Sequence, residues 1–471
     1  MRLHRRAFTG SIVATLIAGL RPAGADEKTP PAPGDDGFTL LEARPGAVPL
    51  LPAPAAQTKI WGFGGDVPGP LLRVRLGQEI KARLINKLDQ PTALHWRGMR
   101  IANEIDGAAG LVHKSLAPGE SRDFRFTPPD AGTFFYQPLI QPFSGEQLGR
   151  GLQGVVIVDE PKPIFSDSEL ILVLDDWRLD AKGQIVPDFD HPADVLRQGR
   201  LGAVGSVNAR AKPAPLTFAP GARLRLRLVN AATARIMSLY LPGGDLKAIA
   251  LDGQFCDPFE PHDRTLPLGP GARCDLLLDL APTENQSFKL ILRGEAELPD
   301  LTLLEIRTKG AVRPPAPPIA APPLNPLLPA EIRLEKSKRL DLVIAGGATR
   351  TTPSRYKPTG EALRRVWSIN GRSSTGLDGP PLFSVKKGSP VTLGLVNKSL
   401  FAQAIHVQGH VVRLLHDLDD GWEPYWRDSV IVPPKRTKHI AFVADNPGKW
   451  LVASAILDHF ANGLAAWFEV V

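Results

Sequence analysis

Charged and apolar side chains alternate strictly in one stretch, Arg223-Leu224-Arg225-Leu226-Arg227-Leu228, which runs on to Val229 and Asn230. Alternation with a period of two predicts a β-strand with one buried face. Gly221, nine residues before Asn230, is suited to the turn that enters this strand. We therefore expect the leucines to be buried and the three arginines to lie on the exposed face of the strand.

The same pattern occurs twice more, which indicates an internal repeat. Residues 72–77 run on to Asn86, and residues 383–388 run on to Asn397, with a glycine nine residues before each asparagine. Each of the three asparagines is followed, after 32 to 40 residues, by a proline-led hairpin, at Pro118, Pro270 and Pro434. Three units of this kind predict an all-β chain with three Greek-key β-sandwich domains in series.

The repeat predicts where the domains begin and end. We expect sandwich domains at residues 38–160, 161–310 and 331–471. Prolines are concentrated between the second and third of these, so residues 311–330 are interpreted as an extended linker.

The first 25 residues resemble a twin-arginine export signal. Arg5 and Arg6 precede Phe8, an apolar stretch follows from residue 12 to residue 20, and residues 23–25 form a small-residue cleavage site. The apolar stretch is too short to span a bilayer, so we expect a periplasmic protein that is not membrane-spanning once the signal is removed. Removal of four signal arginines lowers the net charge from +7 to +3, too little to indicate nucleic-acid binding.

The sequence contains two cysteines, Cys256 and Cys274. In an exported protein the two could form a disulfide, or they could remain buried thiols. Their spacing does not decide between these alternatives.

Four further stretches carry a resemblance to a known family. Residues 95–98 read His-Trp-Arg-Gly, residues 130–136 read Asp-Ala-Gly-Thr-Phe-Phe-Tyr, and residues 403–410 run from Gln403 to His410. Residues 426–434 and 446–450 lead into the fourth stretch, which ends near residue 464. In this order and spacing they resemble the copper motifs of multicopper oxidases. The resemblance covers essentially the whole mature chain and implies that the three sandwiches are cupredoxin-like.

Three copper positions of the family keep a histidine: His95 and His406, which match the type 2 copper positions, and His459, which matches a blue-copper position. The remaining ligand positions have changed. They carry Arg97, Gln137, Leu139, Gln403, Gln408, Ala453, Ser454 and Ala455. A blue copper site needs a thiolate, which Ser454 cannot supply. The Arg97 guanidinium stays protonated and repels a bound cation. The resemblance therefore implies the fold of an oxidase without laccase-type activity.

These losses lead to our first functional hypothesis, an exported envelope scaffold or partner-binding protein that is not an oxidase. It is similar to the copper-free, twin-arginine-exported relatives of multicopper oxidases that support cell division, so envelope or division proteins are the expected partners. We expect the interaction surface on the sandwich faces or on residues 178–212 and 345–365.

A second hypothesis is a copper-binding oxidoreductase or metal carrier. Two imidazoles plus water can hold one copper or zinc ion, so His95 and His406 could retain a single mononuclear site. Otherwise these residues are hydrogen-bonded polar groups and the chain has no cofactor. A third hypothesis is a small-molecule pocket near Ala453 and Ala455, unless Phe401 or Phe460 fills the space.

Overall fold

A computed structural model describes residues 34, 36–294, 299–353, 356–416 and 421–471. The predicted export signal at residues 1–25 lies outside the described residues. Among the described residues, no helix has both the length and the apolar character needed to cross a membrane.

The first sandwich occupies residues 39–159. Its strands are Thr39–Val48 (β1), Thr58–Phe63 (β2), Leu72–Arg75 (β3), Ile80–Asn86 (β4), Leu94–Arg97 (β5), Ser121–Phe126 (β6), Gly132–Pro138 (β7) and Gly154–Asp159 (β8). One sheet has the order β2-β1-β4-β6 and the other β3-β8-β7-β5. Leu84 and Phe124 of the first sheet pack against Trp96 and Tyr136 of the second in one buried cluster. The apolar face predicted by the alternation therefore forms the core between two sheets.

The second sandwich occupies residues 168–308. Its strands are Ser168–Trp177 (β9), Val204–Val207 (β10), Leu216–Phe218 (β11), Arg223–Asn230 (β12), Met237–Tyr240 (β13), Asp245–Leu251 (β14), Gln254–Phe259 (β15), Thr265–Leu268 (β16), Arg273–Asp279 (β17), Ser287–Leu292 (β18) and Leu301–Thr308 (β19). The sheets have the orders β10-β9-β12-β17-β14-β15 and β11-β19-β18-β13-β16. Leu224, Leu226 and Leu228 are buried between them, as the sequence predicts.

The third sandwich occupies residues 338–470. Its strands are Lys338–Gly346 (β20), Trp367–Ile369 (β21), Ser384–Val385 (β22), Ser389–Asn397 (β23), Gln403–Val407 (β24), Val412–Leu415 (β25), Trp422–Arg427 (β26), Ser429–Val432 (β27), Thr437–Ala444 (β28), Gly448–Ser454 (β29) and Ala465–Val470 (β30). The sheets have the orders β21-β20-β23-β28-β25-β26 and β22-β30-β29-β24-β27. The predicted all-β fold of sandwich domains is thus confirmed.

Helices are short and lie in the connections. The α-helices are Asn103–Asp106 (α1), Ser144–Gly149 (α2), Pro192–Val195 (α3), Gly360–Arg364 (α4) and Leu457–Ala461 (α5). Single 3₁₀ turns cover His262–Arg264 and Leu334–Lys336.

The repeated asparagine has one structural role in all three sandwiches. Asn86, Asn230 and Asn397 end the equivalent strands β4, β12 and β23, and each is buried. In every copy the side-chain amide donates to two main-chain carbonyls at 2.8–3.0 Å. Its oxygen accepts the N–H two residues further on, at 2.9–3.0 Å. Because these groups would otherwise be buried without partners, the asparagine fixes the loop that leaves the strand.

The prediction that Arg223, Arg225 and Arg227 lie on an exposed face is wrong. These three arginines are only 4%, 3% and 1% exposed, respectively. Arg223 donates to both oxygens of Asp279 at 2.6 and 2.7 Å, and Arg225 donates to Asp275 at 2.7 Å. Alternation identifies two faces of a strand but does not show what covers them. Here carboxylates cover the charged face, including Glu160 from the segment that follows the first sandwich, which accepts a hydrogen bond from Arg225.

The two cysteines are free and buried. Cys256 lies on β15 and Cys274 on β17. Burial raises the pKa of Cys256 to about 12 and that of Cys274 well above its usual range. Both are therefore protonated thiols at neutral pH.

Candidate functional site

Two of the predicted histidines meet where the first and third sandwiches join. His95 on β5 and His406 on β24 are 1% and 5% exposed. Their Nε2 atoms lie 3.2 Å apart. On the outer side of each ring, His95 Nδ1 lies 3.0 Å from both carboxylate oxygens of Asp106, and His406 Nδ1 lies 3.0 Å from the carbonyl oxygen of Asp428.

These outer contacts determine which nitrogens face the middle of the pair. A carboxylate and a carbonyl accept hydrogen bonds, so the Nδ1 atom of each ring is the one that carries a proton. The two Nε2 atoms of His95 and His406 then face each other. Burial, with the nearby Arg97 cation, lowers the pKa of His406 to about 3, so this ring is neutral at pH 7. A proton or cation between the rings would make their contact attractive.

A buried guanidinium stands next to the histidine pair. Arg97 is two residues after His95 on β5, so both side chains point to the same face of the strand. Arg97 Nη2 donates to Ser429 Oγ at 2.6 Å, and Nε lies 4.0 Å from Asp428 Oδ1. Burial lowers the pKa of Arg97 to about 10, which leaves it positively charged at neutral pH. Arg97, at the position expected to correspond to a type 3 copper ligand of the family, thus carries a fixed positive charge.

Three sandwiches meet at this cation. Asp428 accepts a hydrogen bond from Arg273 of the second sandwich at 2.6 Å, and both side chains have no exposed surface. Asp252, also in the second sandwich, accepts from the Asp428 and Ser429 main-chain N–H groups at 3.0 and 3.3 Å. Burial alone would raise the pKa of Asp428, but Arg273, His406 and Arg97 together outweigh burial and hold that pKa well below the usual range. Asp428 therefore remains an anion that links Arg97 to Arg273.

Amide and apolar side chains occupy the other positions expected to correspond to imidazole ligands of the family. Gln408 donates to the Asp106 carbonyl at 2.6 Å and accepts from the Leu451 N–H at 3.4 Å. Gln137 lies opposite His95 on the paired strand β7, and Ala453 lies opposite His406 on β29. Leu139 and Ala453 share a buried cluster with Phe460, the residue proposed from the sequence to fill this space. Phe401 instead packs against the core of the third sandwich.

His459 lies on helix α5 and forms a separate group. Its Nδ1 is 2.9 Å from Gln403 Oε1, and its Nε2 is 2.8 Å from the Arg197 carbonyl oxygen. The ring stacks on Trp367 with centroids 4.0 Å apart and is 0% exposed. Burial lowers its pKa to about 3. Among the described residues, no hydrogen bond joins His459 to the His95–His406 pair.

Ser454 is the residue expected to correspond to the blue-copper cysteine of the family. Ser454 ends β29, and its hydroxyl accepts the Ile456 N–H at 3.1 Å. The main-chain N–H of Ser454 donates to the Leu464 carbonyl at 2.9 Å. This serine therefore shapes the turn that leads into α5.

Several residues of the site were not identified from the sequence. Asp428 stands inside a stretch that carries the family resemblance, but the pattern assigns it no role. Arg273 and Asp252 belong to the second sandwich and carry no motif, and Arg197 acts through its main-chain carbonyl, which any residue provides. No cluster of three or more His, Cys, Asp or Glu side chains suited to a metal ion is found over the described ranges.

Comparison with known proteins places the chain in a family. Sequence models described as multicopper oxidase match residues 47–163, 170–300 and 348–471. The crystal structure of a multicopper oxidase from Pseudomonas thermotolerans is 32% identical, with a TM-score of 0.79. That match covers 92% of this chain and 98% of the other. The chain belongs to the multicopper oxidase family.

Two other members extend the comparison. Multicopper oxidase MmcO of Mycobacterium tuberculosis is 28% identical over 518 residues, which span 100% of this chain and 97% of that protein. A Campylobacter jejuni multicopper oxidase described as a metallo-oxidase has a TM-score of 0.78 at 23% identity, over 94% of this chain and 93% of the other. The three sandwiches of this multicopper oxidase family member are therefore cupredoxin-like domains.

Proposed function

We propose that this member of the multicopper oxidase family has lost the blue and type 3 copper sites and serves in the periplasm as a partner-binding envelope scaffold. The observation that carries the proposal is the pair Gln403–His459. The two side chains face each other at 2.9 Å, and the second ring nitrogen is within hydrogen-bond distance of a main-chain carbonyl. A position that binds copper elsewhere in the family is here part of a buried hydrogen-bond network.

The residues present do not fit a blue copper ion. Such a site uses two imidazoles and one thiolate. His459 provides one imidazole, Gln403 provides an amide, and Ser454 provides a hydroxyl that already accepts a hydrogen bond. Cys256 and Cys274 belong to the second sandwich and are protonated thiols, so neither replaces the missing ligand.

The residues present do not fit a binuclear type 3 centre either. Such a centre takes six imidazoles in this family, and all six positions carry other side chains. Arg97 adds a cation at one of them, and its pKa of about 10 keeps that charge at physiological pH. Its charge is balanced by Asp428 in a junction of all three domains. The protein has thus replaced the charge of bound metal with guanidinium groups.

Access of an electron donor is a further obstacle to oxidase chemistry. His459 has no exposed surface because Trp367 covers one side of the ring and the Arg197 carbonyl lies at its edge. Arg197 belongs to the segment 178–212, which we expected to be an interaction surface. Part of that segment therefore covers the former copper position, while other parts, such as His191, remain exposed.

Export and partner binding rest on the sequence and on similarity. The signal-like residues 1–25 support export by the twin-arginine route to the periplasm. Copper-free relatives with this combination support the division machinery, which makes envelope or division proteins the proposed partners. A non-catalytic role is compatible with this fold, because one fold can host different functions. The positions proposed to have held copper ligands now serve packing and hydrogen bonding.

Two experiments test this function. A strain that lacks the gene should show an envelope or division defect, and the wild-type chain should restore it. A variant with His95→Ala and His406→Ala should restore it equally well, because the scaffold role needs no metal. The purified exported protein should consume no oxygen with phenolic or metal-ion reductants. Oxygen consumption, or failure of the metal-site variant to restore growth, would contradict the proposal.

One observation favours a second candidate, a mononuclear metal site. The His95 and His406 Nε2 atoms face each other at 3.2 Å. Two ligand nitrogens at ~2.0–2.1 Å from a tetrahedral zinc ion would lie roughly 3.3 Å apart, so the separation matches. Copper or zinc in a one-to-one ratio that is lost in His406→Ala, and retained in the matched variant His410→Ala, would establish this candidate. An equal metal content in all three proteins would remove it.

A further inference from the structure

The Pro-rich segment between the second and third domains has a regular exposure pattern. Every third residue of this segment packs against the protein: Ala316, Ile319, Pro322, Asn325 and Leu328. The residues between them are exposed, and residues 312–325 have no helix or strand. A period of three is that of the polyproline II helix, which the seven prolines among residues 314–328 favour. We refer to residues 314–328 as the strap.

The exposed edges of the strap are entirely apolar. One edge consists of Pro317, Ala320 and Pro323, and the other of Pro318, Ala321 and Leu324. Pro326 and Leu327, in the turn that ends the strap, are exposed beside these edges. Leu324 and Leu327 are 59% and 57% exposed, among the most exposed large apolar residues of the described chain. Asn325 is the sole polar side chain among residues 314–328, and it belongs to the packed edge. A linker needs stiffness, which proline supplies, but it has no need for exposed leucines.

The protein holds the strap in place at several points. The Arg313 N–H donates to the Pro220 carbonyl at 2.9 Å, and the Arg313 side chain pairs with Asp167 at 2.7 Å. The Pro317 carbonyl accepts from Arg223 at 2.7 Å. Farther along, Asn325 donates to Asp130 at 2.7 Å and to Gln254 at 3.0 Å. An extended segment fixed in this way loses little conformational entropy when a partner binds it.

We propose that the strap is the docking ligand for a partner protein with a groove lined by aromatic side chains. Prolines lack an N–H group, so the strap cannot add as a strand to a partner sheet. Polyproline II segments are recognised instead by the packing of proline rings and flanking apolar side chains against aromatic surfaces. The twelve residues 314–325 span roughly 37 Å in this conformation, before the turn at residues 325–328, and this length is enough to cross such a groove. The inference rests on the proposed scaffold role and identifies where its partner binds.

The test is site-specific photocrosslinking of the full-length chain in its native cells. A benzophenone amino acid replaces Ala321 on an exposed edge, and the same group at Phe165, which is 49% exposed outside the strap, serves as the control. We expect one crosslinked protein from position 321, with the adduct mapped to a Trp- or Tyr-lined groove. The double variant Leu324→Asp/Leu327→Asp should reduce the yield by about tenfold, whereas Phe165→Asp should leave it unchanged.

Two further measurements make the result decisive. Both variants should have the thermal midpoint of the wild type, because they alter exposed side chains. A synthetic peptide of residues 311–330 should compete for the crosslink, whereas a scrambled peptide of the same composition should not. An adduct with a second copy of the chain, an adduct with lipid, or no product above the Phe165 control would overturn the proposal. A partner captured only from Phe165 would also overturn it and would leave the scaffold role intact.

Discussion

The Arg273 guanidinium donates to the Asp428 carboxylate at 2.6 Å, and neither side chain has any exposed surface. One residue belongs to the second domain and the other to the third, and Arg97 of the first domain lies 4.0 Å from the same carboxylate. This junction lies beside the His95–His406 pair, since His406 Nδ1 is 3.4 Å from Asp428 Oδ1. Charges supplied by the chain therefore bring the three domains together at this point.

Loss of one member of this junction should destabilise the protein. Arg273→Met leaves Asp428 as a buried anion without its main partner, so we expect a loss of about 3–5 kcal/mol in the free energy of unfolding. The exposed pair Arg293–Asp300, with side chains 43% and 46% exposed, provides the matched control. Arg293→Met should cost less than about 1 kcal/mol. Urea unfolding measures both, and equal costs would show that the junction contributes no special stability.

The protein should lose stability in mild acid. Burial lowers the pKa values of His406 and His459 to about 3 and that of His410 to about 4, from an ordinary value of 6.5. Below pH 6.5 the unfolded chain binds protons at these residues while the native chain does not. The stability is therefore fully present above pH 6.5 and declines as the pH falls toward 4, by about 1.4 kcal/mol per pH unit for each histidine.

Three buried carboxyls act in the opposite direction. Burial raises the pKa of Asp458 to about 6 from 3.8, and it also raises the pKa values of Asp175 and Asp252, so ionisation of these groups destabilises the native state as the pH rises. With His113, whose pKa is also lowered by burial, four histidines oppose these three carboxyls, so we expect a net loss of stability between pH 6 and 4. Urea midpoints at pH 7 and pH 5 test the balance, with His459→Gln expected to reduce the difference. A stability that is constant or higher at pH 5 would contradict this prediction.

Two substitutions should rebuild a blue copper site. His459 Nδ1 already faces the side chain at position 403 from 2.9 Å, so Gln403→His would place a second imidazole there. Ser454→Cys would add the thiolate. The double variant should bind Cu²⁺ with an intense thiolate-to-copper absorption, and the matched variant Gln403→His/Ser454→Ala should remain colourless. A colourless double variant would show that Ser454 does not occupy the equivalent of the cysteine position.

The repeated asparagine should be costly to remove in every domain. Asn397→Ala eliminates donors to the Phe401 and Val432 carbonyls and the acceptor for the Ser399 N–H. Because the site is buried, we expect a loss of about 3 kcal/mol or more. Gln57→Ala, in an exposed loop, is the control and should change the stability by less than about 0.5 kcal/mol. Similar midpoints for the two variants would contradict the role assigned to the repeat.

The sequence was most informative where the signal is local and repeated. The strand of residues 223–230 and its two equivalents predicted the sandwiches. Their alternation and their glycine–asparagine spacing lie within one short segment, so no contact with distant residues is needed to recognise them. The burial of Arg225 was not predictable in this way, since it depends on Glu160 and Asp275, which come from other parts of the sequence. The burial of His459 depends on the Arg197 carbonyl and on Trp367, neither of which belongs to a sequence motif.

The copper content of the mature, exported protein tests the central claim most directly. Protein purified from the periplasm after growth with copper should contain far less than one blue copper per chain and should show no thiolate-to-copper absorption. A single colourless metal lost in His406→Ala would support the mononuclear alternative. Several copper ions per chain together with a blue absorption would contradict the loss of the copper sites.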